Sequence, residues 1–218
     1  MVNAAETFGI DPAMGHAERA LALGYAPAAR RQALAAVFAL DATLAKLTRH
    51  TRDPMVAQMR LTWWHEALSA LGSRTVPGQP ILEALAREVA AERVTPAGLS
   101  AIVEAWEALL DDEPLAHARQ RGAALFAAAA GVVGAGDPVA AAGEGWALAD
   151  LAAHTPDPVV AAEAREAALH ALASTHRWSR AGRPLGALAL VARGDLTGVP
   201  AGAPGRVLAL LRMRLTGR

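Results

Sequence analysis

Cysteine is absent from all 218 residues. That excludes disulfides, thiolate nucleophiles and Cys-ligated zinc or iron–sulfur centres, and it fits a reducing compartment. Lysine is almost as scarce, with Lys46 standing alone among many arginines. Aromatic residues make up only 4% of the chain. An excess of one charge is also missing: 21 basic residues balance 21 acidic ones, with a pI near 7.1. Nothing in the global field would draw the protein to nucleic acid or to an anionic surface, so any such attraction has to come from a local patch. The longest apolar runs, 123–136 and 184–192, are shorter than the roughly 20 residues a membrane-spanning helix needs. The start carries Glu6 and Asp11 instead of a basic segment followed by an apolar one, so no secretory leader is expected. Together these absences point to the cytoplasm.

What is abundant is alanine, and alanine and arginine both favour helix, while alternating strand formers are hard to find. The clearest punctuation is an acidic or hydroxyl residue before proline: Asp11-Pro12, Asp53-Pro54, Thr95-Pro96, Glu113-Pro114, Asp137-Pro138 and Asp157-Pro158. The side chain can accept from the free amides of a first helical turn, and proline at the first position gives up an amide that has no partner anyway. Helices at 28–49, near 79–92 and after Pro204 complete about eight or nine, joined by short loops, with loop-rich joints at 72–79 and 194–205. The expectation is an all-α, single-domain antiparallel bundle over 1–218. The Ala-rich stretch 123–130 predicts close helix packing, and Gly131, Gly134 and Gly136 after it read as a helix C-cap, since no strand precedes them to make a nucleotide-cradling loop.

Two helices carry most of the information. Over 28–49, Leu34, Val37, Phe38, Asp41, Leu44, Ala45 and Thr48 form one stripe, which puts Asp41 inside an apolar face. Over 54–71 the stripe reads Val56, Met59, Arg60, Trp63, Trp64 and Leu68, which puts Arg60 among apolar neighbours. A buried Asp and a buried Arg on consecutive helices are expected to pair.

The sequence resembles a known family through these same helices. Tyr25-Ala26-Pro27-Ala28-Ala29-Arg30-Arg31, followed by Val37-Phe38-Ala39-Leu40, is similar to the opening of the first catalytic helix of squalene and phytoene synthases. Arg60-Leu61-Thr62-Trp63-Trp64-His65-Glu66-Ala67-Leu68 resembles their Arg-Leu-x-Trp-Trp-x-x-x-Leu helix, and Arg121-Gly122-Ala123-Ala124-Leu125-Phe126 a later one. The likeness reaches from Tyr25 to His154, and it implies a bundle of the isoprenoid-synthase type. The family's chemistry uses two sets of aspartates that hold magnesium, which grips a diphosphate leaving group. Where the first set is expected, this chain has Ala45-Lys46-Leu47-Thr48-Arg49; in the second, Asp150 survives without a carboxylate four residues on, where His154 stands. No catalytic residue, no metal site and no cofactor are therefore expected, magnesium entering only if prenyl transfer survives. The segment after His154 also looks trimmed relative to the family.

Within the family, Leu44-Ala45-Lys46, then Asp53-Pro54 and the Trp-Trp helix, resemble the synthase-like assembly factors of respiratory complex I. The resemblance implies a pseudoenzyme that helps assemble a membrane complex, with a protein partner and no nucleic acid, in the cytoplasm or peripheral at the inner membrane. The alternative it leaves is a prenyl-diphosphate-binding protein or transferase in which Lys46, Arg49 and Arg60 grip phosphates directly. The vestigial pocket would then comprise Asp41, Ala45, Lys46, Arg49, Arg60, Trp63, Trp64, Asp150 and His154, with an isoprenoid or lipid as ligand.

Other candidates read more plainly. Glu104, Glu107 and Asp111 share a helix face, as solvated acidic faces commonly do. His65-Glu66 lacks the second histidine of a zinc-protease motif, because position 69 is serine. His154, His170 and His176 are too scattered for a ligand set, and Ser174 and Ser179 near His176 lack a nucleophile turn. Trp63 and Trp64 read as core before they read as cavity lining. The tail 204–218 alternates Val207, Leu208, Leu210, Leu211, Met213 and Leu215 with Arg206, Arg212, Arg214 and Arg218. It suits either a packed last helix or an interfacial one touching lipid.

Overall fold

The structure is a computed structural model that describes residues 17–50, 53–107, 113–174 and 176–218, the side chains of 49 and 50 excepted. Among the described residues there are ten α-helices and no strand. They are α1 (Ala17–Leu23), α2 (Arg31–His50), α3 (Pro54–Ser69), α4 (Pro80–Ala90), α5 (Pro96–Glu107), α6 (Pro114–Val133), α7 (Ala140–His154), α8 (Pro158–Ala171), α9 (Arg183–Leu196) and α10 (Pro204–Thr216). A single 3₁₀ turn, Ala28–Arg30, leads into α2.

Proline punctuation sets many of these boundaries. Asp53 accepts from the Met55 amide at 2.9 Å, Thr95 Oγ1 from Gly98 at 3.0 Å, and Asp157 from Val159 at 2.8 Å. Glu113 precedes its helix without a capping bond. Asp137 is diverted: its carboxylate accepts from the amide and hydroxyl of Ser179, so α7 begins later, at Ala140. Asp11-Pro12 lies outside the described residues. Gly194 belongs to α9 and not to the joint that follows, and a Cβ there would press on the Arg206 guanidinium.

Packing begins with α2, which is buried on almost every side from Ala33 to Ala45 and so runs through the middle of the bundle. The tightest crossing joins α6 and α7. A Cβ on Gly122 would strike the carbonyl oxygen of Gly143, and one on Gly143 would strike that of Gly122. Only paired glycines allow this approach. The close packing expected for the alanine stretch is therefore seated just before it, and Ala128, Ala129 and Ala130 are buried behind it. Gly134 ends α6 in the left-handed conformation, φ 72°, a C-cap as expected.

One stripe is displaced. In α3 the buried side chains are Ala57, Leu61, Trp64 and Leu68, while Met59, Arg60 and Trp63 face solvent. The helix carries two apolar stripes, and 57/61/64/68 is the one that reaches the core. Met55, Met59 and Trp63, four residues apart, form the other and stay outside, Trp63 at 45% exposure.

Candidate functional site

The centre of the bundle holds a charged cluster rather than an open pocket. Asp41 from α2 is buried, and its carboxylate takes a bidentate pair from Arg121 of α6: Nε to Oδ1 at 2.7 Å and Nη2 to Oδ2 at 2.6 Å. The third guanidinium nitrogen, Nη1, reaches Asp150 Oδ2 of α7 at 2.9 Å. Trp106 of α5 donates its indole N–H to Asp41 Oδ1 at 3.0 Å. One planar fork thus satisfies two carboxylates from two helices, a geometry lysine cannot supply.

Aromatic rings enclose it. The guanidinium carbon lies 4.7 Å from the Trp106 ring centroid and 5.2 Å from that of Trp146, a cation between two π faces. Arg19 of α1 stands over Trp146 at 5.9 Å. Phe38, Phe126 and Trp146 meet one another at 5.9–6.3 Å and close the neighbouring volume. His117, one turn before Arg121, is buried, donates from Nδ1 to the Ala105 carbonyl and leans on Trp106. At the rim, His154 Nδ1 sits 3.3 Å from Asp150 Oδ1.

The protonation states follow. Burial by itself would raise the Asp150 carboxyl, but His154 and the Arg121 guanidinium outweigh it and hold the group well below the usual carboxylate range. Burial likewise opposes the charge on Arg121, and Asp41 followed by Asp150 more than restores it. His117 goes the other way, since burial lowers it and keeps the ring neutral.

Of the residues singled out from sequence, Asp41, Asp150 and His154 come together here. Ala45 is buried one turn along α2 from Asp41. Lys46 and Arg60 are exposed, Trp63 is on the outer stripe, and Trp64 is in the core. The side chain of Arg49 lies outside the described residues. The expected Asp41–Arg60 pair is replaced by Asp41–Arg121: the buried stripe of α3 passes through Leu61 and Trp64, which turns Arg60 outward. The signal for Arg121 was present, because His117, Arg121 and Leu125, four residues apart, share one helical face. Glu104, expected on a solvated face, is exposed and meets His65 Nε2 at 3.2 Å; Asp111 lies outside the described residues.

Arg206, one of the tail arginines expected to face phosphate or solvent, is instead buried. Arg206 of α10 contacts Glu18 of α1 at 2.6 Å and Asp195 of α9 at 2.5 Å, and it also donates to the Val199 and Val191 carbonyls. It shares its inner face with Leu210 and Met213, while Leu208 and Leu215 project into solvent. The tail helix therefore packs on one side and presents an apolar stripe on the other.

The squalene/phytoene synthase family model matches residues 15–142. The chain belongs to the squalene/phytoene synthase family. Among solved structures, a dehydrosqualene synthase in complex with ligand is similar over 97% of this chain and 95% of that one, with a TM-score of 0.66 and 12% identity. This likeness shows the isoprenoid-synthase fold. Against that structure the segment after His154 is not trimmed, since it supplies α8, α9 and α10 within the shared fold. No curated protein sequence matches this family member.

The magnesium clamp of the family does not fit the residues present. Asp41 and Asp150 both spend their charge on Arg121, and among the described residues no three acidic or histidine side chains converge as a cation site. A divalent ion would have to displace a buried, bidentate guanidinium to reach either carboxylate. No helix among the described residues is long and apolar enough to cross a membrane.

Proposed function

We propose that this chain is a non-catalytic member of the family, a scaffold or assembly factor for a membrane respiratory complex. The observation that carries the reading is the Asp41–Arg121–Asp150 cluster. The one carboxylate left from the family's aspartate sets, Asp150, is here neutralised internally together with Asp41, and Trp106 and Trp146 lie against the guanidinium, with Phe38 and Phe126 packed on Trp146. The similarity of Leu44-Ala45-Lys46 and the Trp-Trp helix to complex I assembly factors supports the choice of partner class. In this reading the outer stripe of α3, Met55, Met59 and Trp63, meets the protein partner. The exposed side of α10, with Leu208, Leu211 and Leu215 beside Arg214, rests against anionic lipid.

The test is thermal unfolding with farnesyl or geranylgeranyl diphosphate, each with and without magnesium, since a ligand selective for the native state raises the midpoint. The expected result is no prenyl product and no magnesium-dependent shift. A magnesium-dependent rise would restore the transferase alternative. A rise without magnesium that Lys46→Gln with Arg60→Gln abolishes would favour direct phosphate capture by those exposed cations, which stand on adjacent helices.

A further inference from the structure

A cavity of about 620 Å³ lies between the starts and ends of α7, α8, α9 and α10, away from the charged cluster. It touches Ala141 and Ala142 in the first turn of α7, whereas Asp150 stands near that helix's far end, eight residues and about 12 Å along the axis from Ala142. Its size falls within the roughly 300–1,000 Å³ range of small-molecule sites.

The walls have a definite chemistry. Ala142, Leu172, Trp178 and Met213 are buried and make an apolar floor, joined by Leu190. Arg193, Arg212 and Arg218 are exposed and stand around it, and no aspartate or glutamate is among the lining residues. Among the described residues none of these three arginines has an ion-pair partner. That contrasts with the interior, where Arg121 and Arg206 are both paired. His176 adds a polar group: its Nδ1 lies 3.2 Å from Ser174 Oγ, while its Nε2 is shielded from solvent without a hydrogen-bond partner. A shielded imidazole nitrogen left unpaired is costly and is satisfied when a ligand group reaches it.

The cavity is built, not accidental. The Trp178 amide donates to the Gly217 carbonyl at 2.9 Å, Arg177 Nε donates to the Thr216 carbonyl at 2.8 Å, and Arg183 donates to the Arg214 carbonyl at 2.7 Å. These bonds hold the end of α10 over the site. Gly186 and Gly217 leave room for the backbone and ring of Trp178, which a Cβ at either position would strike.

From the apolar floor, the unpaired arginines and the unsatisfied imidazole, we propose that this cavity binds a single-chain amphiphile: an apolar tail on the floor and an anionic head, carboxylate or phosphate, held by Arg193, Arg212 and Arg218. The tail supplies burial and the guanidinium groups supply charge-assisted hydrogen bonds, so neither half of the ligand suffices alone.

The test is calorimetric titration of the full chain with dodecanoate below its micelle-forming concentration. Dodecyl phosphate serves as the second head, dodecanol as the tail alone, and acetate and inorganic phosphate as heads alone. The expected result is one dodecanoate or dodecyl phosphate per chain, with dodecanol and the free heads at least about tenfold weaker. Which of the two amphiphiles binds more tightly identifies the head. Arg193→Gln with Arg212→Gln should weaken binding at least about tenfold, and Ala141→Trp, which fills the mouth from an exposed position, should abolish it. Circular dichroism on both variants separates lost binding from lost folding. Equal affinity for dodecanol, binding untouched in folded variants, or no binding of either amphiphile would overturn the proposal.

Discussion

Two buried arginines hold this bundle together, and they do so under different conditions. Arg121 joins Asp41 and Asp150 at the centre, both carboxylates largely hidden and the guanidinium lying between two indole rings. Arg206 joins Glu18 and Asp195 at one end, but Asp195 keeps about a third of its side chain in water at 34% exposure, and backbone carbonyls complete the set. The first cluster ties α2, α6 and α7 together through one guanidinium. The second fastens the tail helix to α1 and α9. A charge pair in a dry site is costly to break, whereas one with a wet partner has water to fall back on. The two sites should therefore respond differently to the same kind of substitution.

The largest effect is expected at the centre. Arg121→Met leaves two buried carboxylates without a cation and should cost about 3–5 kcal/mol in denaturant unfolding. Asp41→Asn and Asp150→Asn added to it should recover most of that loss, because no charge then remains unpaired. If the single variant matched the triple, the cluster would not be coupled. Arg206→Met should cost less, about 2–3 kcal/mol, since Asp195 can turn to solvent. Hydrogen exchange should show the loss concentrated in α10 and not spread over the core.

Acid should separate the two regions further. Asp150 is held low in the folded state, so its contribution is complete above the unfolded carboxyl value of about 4 and disappears as pH falls below it. His117 is also held low, by burial, so stability is full above its unfolded value of about 6.5 and declines as pH falls through that point. His117→Asn, which keeps a donor for the Ala105 carbonyl, should flatten the profile between about pH 7 and 5, and Asp150→Asn should flatten it below about 4. The smallest effects belong to the exposed partners. Asp195→Asn should cost no more than about 1 kcal/mol. A double-mutant cycle between Asp41 and Arg60 should give a coupling near zero, while the cycle between Asp41 and Arg121 should be large.

Much of the architecture is legible without coordinates because it depends on short-range chemistry. Asp53, Thr95 and Asp157 cap the helices they precede, and a capping bond spans only two or three residues. Asp41 could be placed in an apolar face from periodicity alone. Its partner could not, since Arg121 is 80 residues away and periodicity says which face is buried without saying against what. The same limit explains Asp137, whose expected capping role lost to a hydroxyl and an amide 42 residues on.

By itself, then, the sequence determined the helical class, many of the helix boundaries, the family and the absence of a second aspartate pair, all properties written in neighbouring residues. Tertiary structure decided which of two apolar stripes on α3 turns inward, which arginine neutralises Asp41, and how α10 is held across the cavity near His176. Those outcomes depend on helices meeting at particular angles, as at the Gly122–Gly143 crossing, where the geometry of one contact sets the company of every side chain around it.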